Sequence, residues 1–325
     1  VRTGVFRLRF GHVIPPHGAA PGRPAVAILS PSSDVKLPEE PRFGEAVIPY
    51  DQSMTKAQAP AAQRARGSTH LTARCRDGRT VLDDLHQSGA SRLLFPRASG
   101  LPMPAVWLNT SGGVTGGDQF TAHFAAAAGA HLSLTSQAAE RIYRALPGDP
   151  GRVSTTLSIA SGARIDWLPQ ETILFDRSAL DRSLRIEMAG DATLLAVETL
   201  IFGRAAMGEV VRDLSLHDCI DLRIDGRLAF ADRLRLTGDA DATLARRFVA
   251  AGGGAIASVI FAAPDARRHL DTLRALLPDG AGVSALSDDL LFLRLTAPDG
   301  FDLRHAILPI LRHLSDGDLP RPWML

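Results

Sequence analysis

The sequence predicts a mainly β protein: a large antiparallel β-rich body with a C-terminal β-α-β-β-α subdomain that contributes two helices. Three observations carry this. Leu222, Ile224, Leu228 and Phe230 alternate with polar neighbours around Asp225-Gly226, a dipeptide suited to the positive φ angles of a tight hairpin turn. Gly129, Gly162, Gly190 and Gly226 recur as punctuation between short apolar runs. In the last third, the apolar pattern changes from alternation to helical spacing.

Residues 1–60 differ from the rest of the chain. They hold 9 of the 21 prolines, which break any helix or central strand. The segment is expected to be disordered, or to be an over-extended reading frame with translation starting near Met54 and residues 1–53 untranslated. Its first residues are too short and too charged a run for a signal peptide. Residues 61–240 are expected to form the β-rich body. Leu132-Ser133-Leu134-Thr135 and Leu157-Ser158-Ile159 alternate as half-buried strands do, and Leu234 and Leu236 extend the pattern. Residues 241–325 are expected to be an α+β part packed on the same body. Ala255 to Ala262 reads as a strand, and Ala266, Leu270, Leu273 and Leu277 as a helix closed by Pro278-Asp279-Gly280. Val283 to Leu286 and Leu290 to Leu295 read as strands. Leu303, Ile307, Ile310, Leu311 and Leu314 form a second helical stripe with Pro309 as a kink point. No internal repeat of fixed period is evident.

Composition narrows the function. With 36 Lys+Arg against 35 Asp+Glu, a net charge of +1 is not that of a protein built to coat nucleic acid or an anionic membrane. The longest apolar stretches, such as Leu194 to Phe202, fall far short of the roughly 20 residues that span a bilayer. Two cysteines, Cys75 and Cys219, are too few for a disulfide framework, which points to a reducing, cytoplasmic setting.

Several motifs carry possible chemistry. The stretch Asn109 to Asp118, with Gly112, Gly113, Gly116 and Gly117, lacks both the P-loop Lys and the dinucleotide-binding spacing. It is expected to be a tight loop whose glycines supply backbone angles or close approach. Alternation puts Glu171 on a face with Trp167, Ile173 and Phe175, and Glu198 on a face with Ala196, Leu200 and Phe202. A buried unpaired carboxylate costs several kcal/mol, so each needs a partner. That partner is an arginine such as Arg141, Arg144 or Arg204 if the role is structural. If the role is functional, the pair is a metal way-station or an acid/base couple. His217 and Cys219 can share a strand face and bind a soft metal, or be a surface histidine beside a core cysteine. His305 and His313 lie on one helix but are too far apart to chelate together. No G-x-S-x-G elbow is present. Trp323 near the C-terminus either anchors a partner or pins the tail to the core.

Five motifs in order resemble the urease accessory protein UreD family, called UreH in some organisms. They are Arg76-Asp77-Gly78-Arg79-Thr80 with Leu85 to Gly89 and Leu94-Phe95-Pro96; Asn109 to Asp118; Thr135 to Arg144; Trp167 to Ile173; and Glu198 with Phe202-Gly203-Arg204 and Met207-Gly208-Glu209. The likeness runs from about Ser68 to the end, more thinly after Leu236.

The resemblance implies a non-enzymatic assembly factor with a β-rich fold and two helices. It implies binding to the helical protein UreF, which recruits the GTPase UreG, and docking of that complex on apo-urease, with a dimer of heteromeric complexes formed through UreF. It also implies help in delivering nickel to the urease centre, along a water-filled tunnel in one proposal. Nickel accepts carboxylate oxygen, and a conduit must bind weakly enough to release. On that reading Glu140, Glu171, Asp176 and Glu198 line a transient nickel path, with Asp118 and Glu209 as looser candidates. No tightly bound cofactor and no catalytic residue is expected. Two other readings stand beside it: a carboxylate-dependent hydrolase using Glu171 and Glu198, and a β scaffold with no role in metal handling.

Overall fold

The computed structural model describes residues 63–97, 102–317 and 319–324, so the expected N-terminal extension at residues 1–60 lies outside the described residues. The first half of the chain forms β1 (Arg66–Arg76), β2 (Arg79–Gly89), β3 (Ser91–Leu94), β4 (Met103–Asn109), β5 (Gln119–Ala126), β6 (His131–Ser136), β7 (Glu140–Ile142), β8 (Gly151–Ile159) and β9 (Arg164–Leu168). Then come β10 (Thr172–Leu174), β11 (Ala179–Met188), β12 (Thr193–Phe202), β13 (Leu214–Ile224), β14 (Arg227–Gly238) and the short helix α1 (Ala240–Leu244). The last third is β15 (Ala255–Ala262), α2 (Leu270–Leu276), β16 (Ala281–Ser287), β17 (Leu290–Ala297) and α3 (Gly300–Leu314). The mainly β class and the C-terminal β-α-β-β-α order hold. The five-residue α1 adds a helix that the sequence pattern did not signal.

Two sheets pack face to face. One has seven strands in the order β14-β13-β11-β8-β5-β1-β2. The other has the order β16-β17-β15-β12-β9-β6-β4-β3, with β10 and β7 attached through β12. The pairing is mixed rather than antiparallel throughout. β1-β5, β5-β8, β8-β11 and β11-β13 are all parallel, as are β4-β6, β6-β9 and β9-β12. The reason is the route of the chain. It leaves one sheet through a tight turn and returns along the other, so every second strand runs the same way. The local turn chemistry is that of a hairpin, but the turn joins sheets instead of neighbours in one sheet.

Three such turns stack at one end of the sandwich: Ala127 to Ala130, Ala160 to Ala163, and Ala189 to Ala192. In each the last alanine N–H donates to the first alanine C=O, at 2.9, 3.0 and 3.1 Å. Arg164 N–H reaches Ala130 C=O and Thr193 N–H reaches Ala163 C=O, so each coil sits on the one before. This is a structural repeat of unequal spacing, which a fixed-period search misses. True hairpins close β1-β2 and β13-β14, each with Asp-Gly at positive φ: Asp77 51° and Gly78 72°, Asp225 49° and Gly226 74°.

Alternation then sorts the core. Leu132, Leu134, Ile165, Trp167, Leu194 and Ala196 face the seven-stranded sheet and pack on Leu71, Phe124, Leu157, Leu184 and Ile186. The intervening Leu168, Leu195 and Val197 face the opposite way, onto Leu303, Ile307, Ile310 and Leu314 of α3. The ten-stranded sheet is therefore covered on both faces, whereas the outer face of the seven-stranded sheet is polar. Trp323 is buried at 1 % exposure and donates Nε1–H to Leu168 C=O at 2.8 Å, so it pins the tail to the core.

Candidate functional site

A cavity of about 250 Å³ lies between the sheets. Trp107, Phe120, Trp167 and Leu184 give it an apolar wall, and Glu140, Glu198, Arg182, Gln137 and Gln170 supply polar groups. The strands place these side chains by period-2 logic. On β12, Leu194, Ala196, Glu198 and Leu200 face the seven-stranded sheet, the face expected for Glu198.

The partner of Glu198 is not among the arginines expected. It is Arg182 of β11, from the opposite sheet. Arg182 Nη1 lies 2.6 Å from Glu198 Oε2. The same guanidinium grips Asp218 of β13 with Nε at 2.9 Å and Nη2 at 2.7 Å, a bidentate pair between residues in direct register. Nη1 also donates to Thr172 Oγ1 at 3.1 Å, and Trp167 Nε1–H donates to Glu198 Oε1 at 2.7 Å. Burial pushes the Glu198 carboxyl above its ordinary pKa, while Arg182 and the Trp167 hydrogen bond pull it back. The two carboxylates push Arg182 above its usual value against the effect of burial. Two buried carboxylates thus share one arginine.

Arg182 and Asp218 were missed at the sequence level, though the signal was there. Arg182 interrupts the apolar row Leu180, Leu184, Ile186, and Asp218 interrupts Leu216, Ile220, Leu222. The alternation that singled out Glu198 applies equally to both. Beyond the cluster is a second, small cavity lined by Arg182, Glu198, Asp218, Asp232 and Arg294. Arg182 and Glu198 thus form the partition between two internal spaces.

Glu140 stands at the other wall. It opens β7, whose register sets Glu140 beside Thr172 and whose backbone N–H donates to Glu171 C=O. Its oxygens accept from Asn109 Nδ2 at 3.3 and 3.2 Å, and among the described residues no cation lies within ion-pairing distance. Burial raises its pKa to about 7, against the smaller opposing effects of Asn109 and Arg141. The glycine-rich loop serves this carboxylate. Asn109 Nδ2 also donates to Gly113 C=O, and a Cβ on Gly113, at φ 149°, would meet Tyr143 at 2.3 Å and Arg141 O at 2.6 Å. Glycine is needed there for close approach, as expected of the loop.

The remaining candidates do not line either cavity. Glu171 lies in the break between β9 and β10, where Pro169 interrupts the alternation, so it does not share a face with Trp167. It accepts from Arg304 Nη1 of α3 at 2.8 Å. Arg304 also donates to Gln170 Oε1 and Pro322 C=O and stacks 4.9 Å from the Trp323 ring. Asp176 Oδ1 accepts from the backbone N–H of Arg212 at 2.8 Å and of Asp213 at 3.0 Å. Burial acts to raise its pKa, but these bonds and Arg177 hold it below the carboxylate range. Glu209 ties Arg204 (Nε 2.7 Å) to the backbone of Asp176. Asp118 accepts from Ala65 N–H and Thr115 N–H at 2.8 and 2.9 Å. These three staple loops. His217 and Cys219 do share the outer face of β13, 3.3 Å apart, and Asp181 takes His217 Nδ1 at 3.2 Å. Among the described residues no three His, Cys, Asp or Glu side chains gather as a metal cage.

The comparisons with known proteins agree on one family. The family model described as UreD urease accessory protein matches residues 65–324. The chain is 47% identical over 258 residues to a urease accessory protein UreD of Ruegeria pomeroyi, covering 79% of this chain and 99% of that protein. It is 49% identical over 272 residues to the UreD of Ruegeria sp. strain TM1040, covering 81% and 91%. To the UreD of Sinorhizobium medicae it is 43% identical over 278 residues, covering 84% and 100%. With the match spanning the whole sandwich and the C-terminal helices, the chain belongs to the UreD family of urease accessory proteins.

Proposed function

We propose that this chain acts in urease maturation as a non-enzymatic scaffold: it binds apo-urease and UreF, is linked to UreG through UreF, and passes nickel through the interior of its sandwich. Family membership carries the role in urease maturation. The observation that favours an internal route is Glu140, a half-buried carboxylate with no cation at ion-pairing distance among the described residues, on a cavity that ends at the Arg182–Glu198–Asp218 partition. A passing Ni²⁺ can bind carboxylate oxygen there and leave again, because Glu198 and Asp218 are already engaged and Glu140 alone is a weak ligand. Arg182 is a fixed positive charge beside the path, which keeps any cation from settling.

Partner binding has its own support. The end of the sandwich opposite the alanine turns carries exposed apolar side chains on several connections and at the start of α3, among them Leu146, Met207, Phe248 and Phe301, at 65, 74, 93 and 70 % exposure. Such a concentration marks protein contact. No helix is long and apolar enough to cross a membrane among the described residues. The hydrolase reading finds less support, because Glu171 and Glu198 bond to different arginines and do not face one space.

The test is co-expression with the urease subunits, UreF and UreG, followed by pull-down and a nickel-dependent urease assay. Glu140→Gln should leave the pulled-down complex intact and reduce activation several-fold. Unchanged activation by Glu140→Gln and Glu198→Gln alike would sink the internal route. Failure to recover apo-urease or UreF with the wild-type chain would sink the scaffold.

A further inference from the structure

Between β12 and β13 the stretch Gly203 to Glu209 forms an exposed finger. Ala205 to Met207 make one 3₁₀ turn that buries no side chain, ended by Gly208 at φ 66°. Met207 at its tip is 74 % exposed and Val210 beyond it 41 %. The finger is clamped at its base. Glu209 Oε1 accepts from Asp176 N–H at 3.2 Å, and Oε2 accepts from Arg204 N–H at 3.1 Å and Arg204 Nε at 2.7 Å. The hydrogen bond from Arg204 holds the Glu209 carboxyl below the usual carboxylate range, so the clamp is charged at neutral pH. A Cβ on Gly203, at φ 78°, would meet Glu209 C=O at 2.9 Å, so the two ends of the finger close on each other. Arg204 also lies 4.4 Å over the Phe175 ring, which Tyr143 meets edge-on at 5.2 Å.

The surroundings are lopsided in charge. Arg141, Arg144 and Arg212 are exposed on the adjoining loops, and the ion pairs among the described residues include none of them. The carboxylates of the same loops are mostly spent. Asp118, Asp176 and Glu209 accept backbone N–H groups, Glu140 accepts from Asn109, and Asp149 meets Arg152 at 3.3 Å. Asp213 alone among them is exposed and outside the ion pairs of the described residues. Apolar Met207 and Leu146, half-exposed Tyr143 and free guanidiniums thus share one surface. Met, Tyr and Arg are the side chains enriched at protein interfaces, where Asp and Glu are depleted. A loop fixed before contact also avoids the ordering cost of binding.

We propose that the finger is a preformed knob that seats Met207 in an apolar pocket of a partner protein, while Arg141, Arg144 and Arg212 pair with carboxylates around that pocket. The partner surface is therefore apolar at its centre and acidic at its rim. Complementary charge steers the encounter and sets the orientation, and the knob supplies the burial. Glu209 is a positioning residue, which holds the finger without meeting the partner. The inference rests on the maturation reading for the identity of the partner, which is UreF or apo-urease; the shape and charge of the contact follow from the finger itself. A polyanion such as duplex DNA would use the arginines and leave Met207 idle, which separates it from a protein partner.

The experiment measures binding of UreF, of apo-urease and of duplex DNA to the tagged full chain across a salt series. Met207→Ala should weaken one of the two proteins by about tenfold or more. Because Met207 is mostly exposed, its urea midpoint should stay at the wild-type value. Arg141→Glu with Arg144→Glu should weaken the same protein about tenfold and flatten its salt dependence. Glu209→Gln should weaken it several-fold, and adding Glu209→Gln to Met207→Ala should cost little more, because a clamp matters only while the knob is present. Leu228→Ala, at a side chain 53 % exposed beside the Asp225-Gly226 hairpin, should change nothing. Capture of both proteins at wild-type affinity by either the Met207 variant or the arginine variant would overturn the knob, as would arginine-dependent binding of DNA alone. If the wild type captures neither protein, the maturation reading fails and the knob with it; if the wild type and the variants capture both equally, the knob alone fails.

Discussion

Glu198 lies on β12 and Glu171 in the break between β9 and β10 of the same sheet, in the same kind of sequence context, yet they are bonded on opposite sides of it. Glu198 faces the inter-sheet space and is bound by Trp167 and by Arg182, which it shares with Asp218. Glu171 turns towards the helical layer and is bound by Arg304, itself held by Gln170, Pro322 and the Trp323 ring. The difference teaches where chemistry remains available. Around Glu171 a single cation meets a single carboxylate and the charges cancel. Around Glu198 one cation serves two carboxylates, and on the wall of the same cavity stands Glu140, which pairs with no cation among the described residues. Carboxylates outnumber the arginines that bond them on the cavity face of the sheet and are matched one to one around Glu171.

Removing Arg182 should have the largest effect. Arg182→Met strands two buried carboxylates, and breaking a buried pair from one side costs about 3–5 kcal/mol. Urea denaturation at pH 7.5 should show that loss, with a smaller loss at pH 5, where protonation relieves one of the stranded groups. Glu198→Gln should cost much less, because Arg182 keeps its bidentate Asp218 partner. An Arg182→Met loss no larger than that of Glu198→Gln would mean that the cavity face is no more strained than the helix face.

Glu140 sharpens the contrast through pH. Its carboxyl is raised from 4.5 to about 7 by burial, so the folded state holds a proton that the unfolded chain releases. Its stabilising contribution is therefore complete below about pH 4.5 and is lost as pH rises to about 7. The shift corresponds to about 3 kcal/mol at most. Glu140→Gln removes that loss, so its stability relative to wild type should climb between pH 5 and 8 by up to about 3 kcal/mol. Activation should move the other way. Protons compete with metal for the oxygens, so urease activation by the wild type should fall from pH 8 to pH 6, and Glu140→Gln should flatten that dependence. A stability difference that does not vary with pH would place Glu140 among the paired carboxylates.

Much of this pattern is legible in the amino-acid sequence. The alternation around Glu198 names its face, Asp225-Gly226 names its hairpin, and the two C-terminal stripes correspond to α2 and α3. Arg182 and Asp218 are readable by the same rule, since each is a charged residue set in an otherwise apolar row of its strand. The parallel pairing is not legible. A tight turn looks the same in sequence whether its second strand joins the same sheet or the facing one, and only long-range packing decides. Glu171 was misplaced for a local reason: Pro169 ends β9, and alternation does not carry across a break.

The smallest effect tests the comparison from the helix side. Glu171→Gln keeps an oxygen for Arg304 Nη1 and removes one charge from a mostly buried pair, 13 % and 19 % exposed. Arg304 retains Gln170, the Pro322 carbonyl and the Trp323 ring, so the loss should be about 1 kcal/mol. In the urease assay, activation by Glu171→Gln should track the amount of folded protein and show no change in pH profile, in contrast to Glu140→Gln. A specific loss of activation at wild-type stability would move Glu171 into the functional set and require a metal path that passes the helix face. Equal behaviour of Glu171→Gln and Glu198→Gln, with activation tracking folded protein in both, would confine the available chemistry to Glu140. The Arg182–Glu198–Asp218 partition would then be a packing device between the sheets, and the route would have to leave the cavity without crossing Arg182.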